Sequence, residues 1–426
     1  MMPSMLLLLL ACSAAVHSPL DAVIDAPEAF VAAGQRPALA RPEGIGDAPE
    51  REDSTEAAEA LDDALVPNDW MFTTTEVIEV SLTMSWDDIR ALDADPTTPR
   101  PADITIDGET REDVGVNIKG RLGSRRTFGG KPGLKIDMNE FVPGQTLRGI
   151  TILNLNNMVQ DGSKVHELTA YAVYNAVGSP APRVGYVHVT VNGVDYGLYS
   201  NVEAYNEAFL RRHYDDPSGN LYDGDYSMPT WGSYTMIDFW PGLDHLFQQD
   251  AGEDVSLADV YAVTAAVTAS YGTDQFEETV DPLIDWDQFR HFWAADAWIG
   301  QYDGYVYNRN NYRVYFDPAD GKARFSPWDP DWAFYSGTPI TSPYGLLAAG
   351  CKADPACFAA ELDALSDVCD IVDTLPLQEQ IDAAAALINP YLATDPRVGS
   401  DMGTIQYYQA QTRDWVVSRC ATMGSL

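Results

Sequence analysis

Positive charge is what this chain has least of: 26 Lys and Arg stand against 64 Asp and Glu, a formal net charge of −38 over 426 residues. That balance argues against nucleic acid as a partner and against general attraction to an anionic membrane. Cysteine is scarce too, at 5 residues, and no C-x-x-C or Cys/His spacing suggests zinc. Neither GxxxxGK[ST] nor GxGxxG occurs in the one Gly-rich basic stretch, so a P-loop or dinucleotide fold is not supported. No internal repeat of roughly 20–50 residues is present.

What is there suffices for a real interior: 46% hydrophobic residues and 11% aromatics, in a chain long enough for two lobes. The N-terminus reads MMPSMLLLLLACSAAV. Its apolar run, Leu6 to Leu10, is too short to span a bilayer but suits a signal peptide over residues 1–11. Leu9-Leu10-Ala11-Cys12 is similar to a bacterial lipobox, although no Lys or Arg precedes the run. The expectation is an exported bacterial protein, an outer-membrane or cell-surface lipoprotein or a secreted one. It would touch membrane only through a lipid on Cys12, and the alternative is an ordinary cleaved signal. Cys351, Cys357, Cys369 and Cys420 then read as disulfides. Of the three possible pairings, Cys351–Cys357 with Cys369–Cys420 is favoured.

Residues 12–72 are acidic, rich in Ala and Pro, and without period, which predicts a disordered tether. VIEVSLTM (77–84) alternates like a strand, and SWDDIRAL starts a helix with Ser85 as cap. DVGVNIKG and GLKIDMN read as strands flanking a Gly-rich loop, and KVHELTAYAVYNAVG reads as a helix. VGYVHVTVNGVDYGLYSNVE is a hairpin turning at Asn192-Gly193. Beyond residue 206 helical patterns dominate, interrupted by a second hairpin over 311–328. The layout predicts an α+β protein with a strand-rich N-lobe (73–205) and a helix-rich C-lobe (206–426) ending in a disulfide-stapled helical tail.

Three constellations carry chemistry. The stretch KGRLGSRRTFGGKPGLK (119–135) holds six basic residues and no acid. Lys119, Arg121 and Ser124 beside exposed backbone N–H groups form a natural cradle for phosphate; a basic hairpin tip paired with acids elsewhere is the plainer reading. Glu167, on the following helix, could orient Lys135 or Lys119. Asp303, at the end of an apolar helix, is followed by Asn308 and Asn311, then by Asp329 and Asp331 in FSPWDPDWAF. Carboxylate and amide oxygens in this pattern suit a hard cation such as Mg²⁺, Mn²⁺ or Ca²⁺. The order of lysine, glutamate, Asp-turn-Asn and Asp follows the logic of a protein-kinase-like phosphotransferase.

NIKGRLGS, GLKIDMNEFVPGQ, ILNLNN, GNLYDGD, NNYRVYFDP and above all PAPR, NGVDYGLY and PWDPDWAF carry a specific likeness. Over residues 76–335 the chain resembles the spore coat protein H (CotH) kinase-like family. The resemblance implies an atypical two-lobed kinase fold, with ATP and a divalent metal used to phosphorylate a protein hydroxyl (Ser or Thr), and the chain is expected to be a monomer. Lys135 then looks like the nucleotide lysine, with Glu167 its partner and Glu203 at the inter-lobe hinge. Asp303 looks like the catalytic aspartate, and Asp329, Asp331 and Asn311 like the metal ligands, with Asn308, at the five-residue spacing of ordinary kinases, the alternative to Asn311. The chain departs from ordinary kinases where Gln301 and Tyr302 stand for His-Arg, and where Asp-Pro-Asp stands for Asp-Phe-Gly. An inactive surface module holding Ca²⁺ is therefore a second reading. A glycosidase built on paired carboxylates ranks below both.

Overall fold

Alternating apolar residues bend seven strands into a closed barrel in the N-terminal part of the chain. The computed structural model describes residues 68–230 and 233–423, with the side chains of Pro229 and Thr230 excepted. The signal segment, Cys12 and the tether up to residue 67 lie outside the described residues. The barrel consists of β1 (Val77–Thr83), β2 (Arg100–Ile106), β3 (Glu109–Lys119), β4 (Gly133–Asp137), β5 (Ile152–Asn156), β6 (Val184–Val191) and β7 (Val194–Val202). Their order around it is β1-β2-β3-β4-β5-β7-β6, and a parallel β1–β6 ladder closes the ring among antiparallel neighbours. Closure removes the open edges that a sheet this size would otherwise expose. Ile78, Val80 and Leu82 of β1 meet Ile104, Val116, Leu134, Leu153 and Val189 inside.

Two helices accompany the barrel: α1 (Trp86–Ala94) and α2 (His166–Ala176). Ser85 caps α1, accepting from the Asp88 N–H at 3.0 Å, as the S-x-x-D spacing predicts. At the β6–β7 turn Asn192 and Gly193 take φ of 51° and 73°, the left-handed pair that such a hairpin needs. The Asn192 amide also exchanges two 2.9 Å hydrogen bonds with the Met84 backbone, pinning the turn to the start of α1. β6 and β7 are buried on both faces, because Tyr186 and Leu198 point outward onto Ile381, Ile388 and Ile405 near the C-terminus.

The remainder is helix-rich, as expected. It runs through α3 (Glu207–His213), β8 (Leu221–Asp223), a β9 (Ser227–Thr230)–β10 (Ser233–Thr235) ladder, β11 (Gln248–Ala251), α4 (Ala258–Ser270), α5 (Phe276–Val280), α6 (Trp286–Ile299) and α7 (Tyr305–Asn308). The hairpin β12 (Tyr312–Phe316)–β13 (Ala323–Pro327) joins β8 and β11 in a four-stranded sheet. Four helices follow: α8 (Leu346–Ala353), α9 (Pro355–Val372), α10 (Leu377–Leu392) and α11 (Met402–Met423). Their core is aromatic, with Phe289, Phe292, Trp293, Trp298, Tyr305 and Phe325 buried together. No helix among the described residues is long and apolar enough to cross a membrane.

The structure corrects one boundary. The tether expected to reach residue 72 ends earlier, because Asp69–Phe72 form a 3-10 helix on the barrel. Met71 is fully buried there, and Arg148 lies 3.8 Å over the Trp70 ring. Two aromatics and a methionine in DWMF give this segment an apolar face that the preceding acidic stretch lacks.

Both disulfides form in the favoured pairing, Cys351–Cys357 and Cys369–Cys420, and they fit an exported protein. The second ties α9 to α11 across 51 residues, while the first spans 6. Loop-closure entropy therefore assigns about 4 kcal/mol to Cys369–Cys420 and about 2 kcal/mol to Cys351–Cys357. Replacing each pair by serines should lower the denaturant midpoint, and the Cys369/Cys420 variant should fall further. Equal midpoints for the two variants would contradict this ranking.

Candidate functional site

Between the barrel and the β8–β12 sheet lies a cleft of about 1050 Å³. One wall carries Lys119 at the end of β3, Arg121 and Ser124 in the Gly-rich loop, and Lys135 on β4. The facing wall carries Asp303, Asn311, Asp329 and Asp331, and Glu167 lies at its depth on α2. Nine of the ten residues proposed from sequence thus face one space. The exception is Glu203, which is buried against Arg183 and Arg212 with contacts of 2.6 and 2.5 Å and does not line the cleft. A carboxylate already held by two guanidiniums ties β7 to α3 and has no lone pair to spare for a ligand.

The lysine beside Glu167 is Lys119 rather than Lys135. The Lys119 ammonium donates to Asn156 Oδ1 at 2.5 Å, and the Asn156 amide in turn donates to Glu167. Ser200 Oγ donates to the other Glu167 oxygen at 2.5 Å. Lys135 is exposed and makes no ion pair or hydrogen bond among the described residues. Their registers explain the difference. Lys119 pairs with Gly133 at the end of the β3–β4 ladder, where the strand meets the cleft, whereas Lys135 sits opposite Asn117 further along. Asn156 was not singled out from the sequence, although ILNLN places Asn154 and Asn156 two apart on an otherwise apolar strand, which puts both on one face.

Burial and mutual repulsion distort the charges here. Desolvation and then the Asp329 charge push the Glu167 carboxyl up to about 7. Burial pulls Lys119 down to about 8, against the attraction of Asp329 and Glu167. Burial also raises Asp329, and it raises Asp331 well above the usual carboxylate range with the Asp329 charge adding to it. Asp303 is pushed up to about 6 by burial, although Asn308 at 2.5 Å and Asn311 at 3.2 Å donate to it. Of these two asparagines, only Asn311 lines the cleft.

Further carboxylates that the sequence reading passed over complete the far wall. Asp223 and Asp250 hold the buried Arg313 at 2.8 and 2.9 Å, and Asp225 lies 3.4 Å from Arg121. Burial and the Asp223 charge push Asp225 up to about 7. Trp328 lines the same space, with Lys119 and Arg313 lying 5.0 and 5.3 Å from its ring centre.

Asp329 and Asp331 are presented by an unusual backbone. Asp329 adopts φ 45° and ψ 58°, and its N–H donates to the Tyr171 hydroxyl at 3.1 Å. Pro330 opens the 3-10 helix Pro330–Trp332 that follows. Asp and Asn tolerate this left-handed region better than other non-glycine residues. Asn311, at φ 52°, uses the same allowance. Neither carboxylate receives a hydrogen bond from a described residue, so the lone pairs of both are free for a cation. Among the described residues no three His, Cys, Asp or Glu side chains gather closely enough to hold a metal unaided. Such a donor set fits an ion that brings phosphate oxygens with it, and not a protein-only cage.

The raised carboxyls make stability depend on pH in a definite direction. Groups whose folded values lie above their unfolded ones favour the folded state while protonated, and that benefit is lost as pH rises through the folded values. For Glu167, Asp225 and Asp303 the loss falls between the ordinary carboxylate range and about 7. Thermal midpoints of the nucleotide-free protein should therefore fall from pH 5 to pH 8, and Asp331→Asn should raise the midpoint at pH 8 by a few degrees. A midpoint that climbs steadily across that range would count against this account.

The family model for the CotH kinase protein matches residues 116–423. Inner spore coat protein H of Bacillus subtilis is 23% identical over 201 residues, 45% of this chain and 52% of that protein. Spore coat protein homolog 1 of Rhizopus delemar is 24% identical over 184 residues, 42% of this chain and 29% of that protein. The matched part thus spans about half the length of the first relative and less than a third of the second. Solved structures overlap more loosely. The HipA–HipB–operator DNA complex of Shewanella oneidensis gives a TM-score of 0.29 at 10% identity, covering 88% of this chain and 82% of that one. The proinflammatory kinase CtkA of Helicobacter pylori gives 0.23 at 12% identity, covering 76% and 88%. With the sequence match running from β3 to the last helix and enclosing every cleft residue named above, the chain belongs to the CotH kinase family.

Proposed function

We infer that the chain is an exported, monomeric phosphotransferase that passes the γ-phosphate of ATP to a Ser or Thr hydroxyl of a protein, with Mg²⁺ or Mn²⁺ bound alongside the nucleotide. The observation that carries this reading is the Lys119–Asn156–Glu167 chain of hydrogen bonds facing Asp303, Asn311 and Asp329 across one cleft. Lys119, Arg121 and Lys135 would neutralise phosphate oxygens, and Asp329 with Asn311 would hold the metal. When bound, the metal supplies charge neutralisation at the bridging and terminal phosphate oxygens. Asp303 would hold the acceptor hydroxyl and take its proton as the new P–O bond forms and the bond to ADP breaks. A carboxyl pushed up to about 6 is better matched to that proton than an ordinary aspartate. Most of the rate gain would come from positioning and charge rather than covalent chemistry.

One observation favours the second reading, an inactive kinase-fold module. Gln301 is buried two residues before Asp303, where an ordinary kinase has its orienting histidine, and neither end of its amide has a hydrogen-bond partner among the described residues. A Ca²⁺ held by the protein alone would need six to eight oxygens.

Two measurements separate the readings. With γ-labelled ATP, Asp329→Asn should cut label transfer on the order of 10²-fold or more; transfer untouched by that change sinks the mechanism. Thermal shifts should require ATP together with Mg²⁺ or Mn²⁺, whereas a large shift with Ca²⁺ alone points to the module. Lys119→Ala should reduce the ATP-dependent shift more than Lys135→Ala, because only Lys119 is coupled to Glu167.

A further inference from the structure

The basic loop contains a lysine that the cleft does not use. Lys131 is buried and points away from the cleft, with its ammonium 2.7 Å from Asp395 Oδ2. Asp395 sits between α10 and α11, 264 residues further along the chain. The side chains of the pair are 5% and 0% exposed, so this is an interior ion pair and not a surface contact. The same carboxylate accepts from the Leu198 N–H on β7 at 3.0 Å and from the Arg397 N–H at 2.7 Å.

Its neighbours are arranged around it. Gly197 lies on β7 at φ 84°, and a Cβ there would overlap the Asp395 carboxylate. Glycine thus serves twice at that position, for the backbone angle and for the room. Arg397, two residues on, donates to the Gly130 and Gly129 carbonyls at 2.6 and 3.3 Å and lies 4.0 Å over the Tyr196 ring. Lys131 itself lies 5.0 Å over the Tyr199 ring. Just past β5, the Asn157 amide donates to the carbonyls of Ser124 and Lys131 at 2.9 and 2.8 Å, so it bridges the fixed end of the loop and the end that lines the cleft. Burial pulls Lys131 below its ordinary value, and the Asp395 charge opposes this, as expected of a pair that is charged only because both members are present.

We propose that Asp395, with Arg397, is a positioning residue for the phosphate-binding loop: by anchoring Lys131 and Gly129–Gly130 to the barrel it fixes where Lys119, Arg121 and Ser124 stand in the cleft. The catalytic consequence rests on the phosphotransferase reading above; the anchoring does not. The C-terminal tail is on this view part of the nucleotide site although none of its described residues lines the cleft.

Asp395→Asn alone leaves a buried ammonium unpaired, which is strongly destabilising, so the decisive protein is Lys131→Met with Asp395→Asn. It removes both charges and keeps an acceptor for the Leu198 N–H. Its thermal midpoint should stay near wild type, since exchanging a buried ion pair for neutral groups is often neutral. In the nucleotide-free protein, backbone amide exchange over residues 120–130 should become about tenfold faster or more, with β1 and β2 unchanged. KM for ATP should then rise about tenfold or more while kcat stays within about twofold, a split that a general loss of stability would not produce. Loop exchange unchanged in the double variant overturns the proposal, as does a KM unchanged in an active enzyme. If wild type neither binds nor turns over ATP, the phosphotransferase reading falls, and loop exchange alone still decides the anchoring.

Discussion

Negative charge gathered in a partly dry cleft is the condition to which the rest of the site responds. Glu167, Asp303, Asp329 and Asp331 share a space with the Lys119 ammonium; burial drives each carboxyl upward, and the Asp329 charge adds to this for Glu167, Asp303 and Asp331. A protein does not keep such a set through its own pairing energy, because unmet charges in a medium of low dielectric constant are unfavourable. On the phosphotransferase reading, the set becomes favourable when a polyvalent cation and a polyanion enter together, each meeting the sign the other leaves. The basic loop on one wall and the aspartates on the other are two halves of that arrangement. A net charge of −38 makes the basic half the more telling of the two.

Holding those halves apart requires a frame, and the C-terminal helices supply much of it. Besides the Asp395–Lys131 anchor, Thr412 on α11 contacts His166 Nε2 at 3.1 Å, and His166 Nδ1 contacts the Asp331 carbonyl at 2.9 Å. Arg419 donates to the Trp298 carbonyl at 2.9 Å, at the end of the helix that leads to Asp303. The Trp415 indole reaches the same carbonyl at 2.9 Å. One helix therefore braces both the Asp331 turn and the approach to Asp303. The Cys369–Cys420 disulfide fastens that helix to α9. A tail beyond the named motifs is thus continuous with the site through hydrogen bonds.

Much of this was legible from local pattern. Period-two alternation found β1, the NG turn placed the β6–β7 hairpin, Ser85 marked a helix start, and cysteine spacing suggested the pairing that forms. What local pattern could not supply is what lies opposite what. Whether Lys119 or Lys135 meets Glu167 is settled by the register between β3 and β4 and by Asn156 on a third strand. Glu203 looked available because the arginine that first engages it, Arg183, is 20 residues back across the hairpin. Lys131 counts from sequence only as one of six bases in the loop, because its partner stands 264 residues away. Each of these depends on long-range contact, on which composition and spacing are silent.

The Asp-Pro-Asp turn shows how local chemistry and long-range contact combine. An ordinary kinase has a phenylalanine after its metal aspartate, and that ring can swing. Here proline follows, with its φ fixed by the ring, and Asp329 before it is held in the left-handed region by the Tyr171 hydroxyl. Leaving that region would break the hydrogen bond to Tyr171 and disturb the His166 contact to the Asp331 carbonyl. The turn is therefore built to stay in place. Adjustment of this cleft falls to the opposite wall, where the glycines of the 120–130 loop permit movement and the Lys131–Asp395 ion pair, with the Arg397 bonds to Gly129 and Gly130, restrains it from the tail.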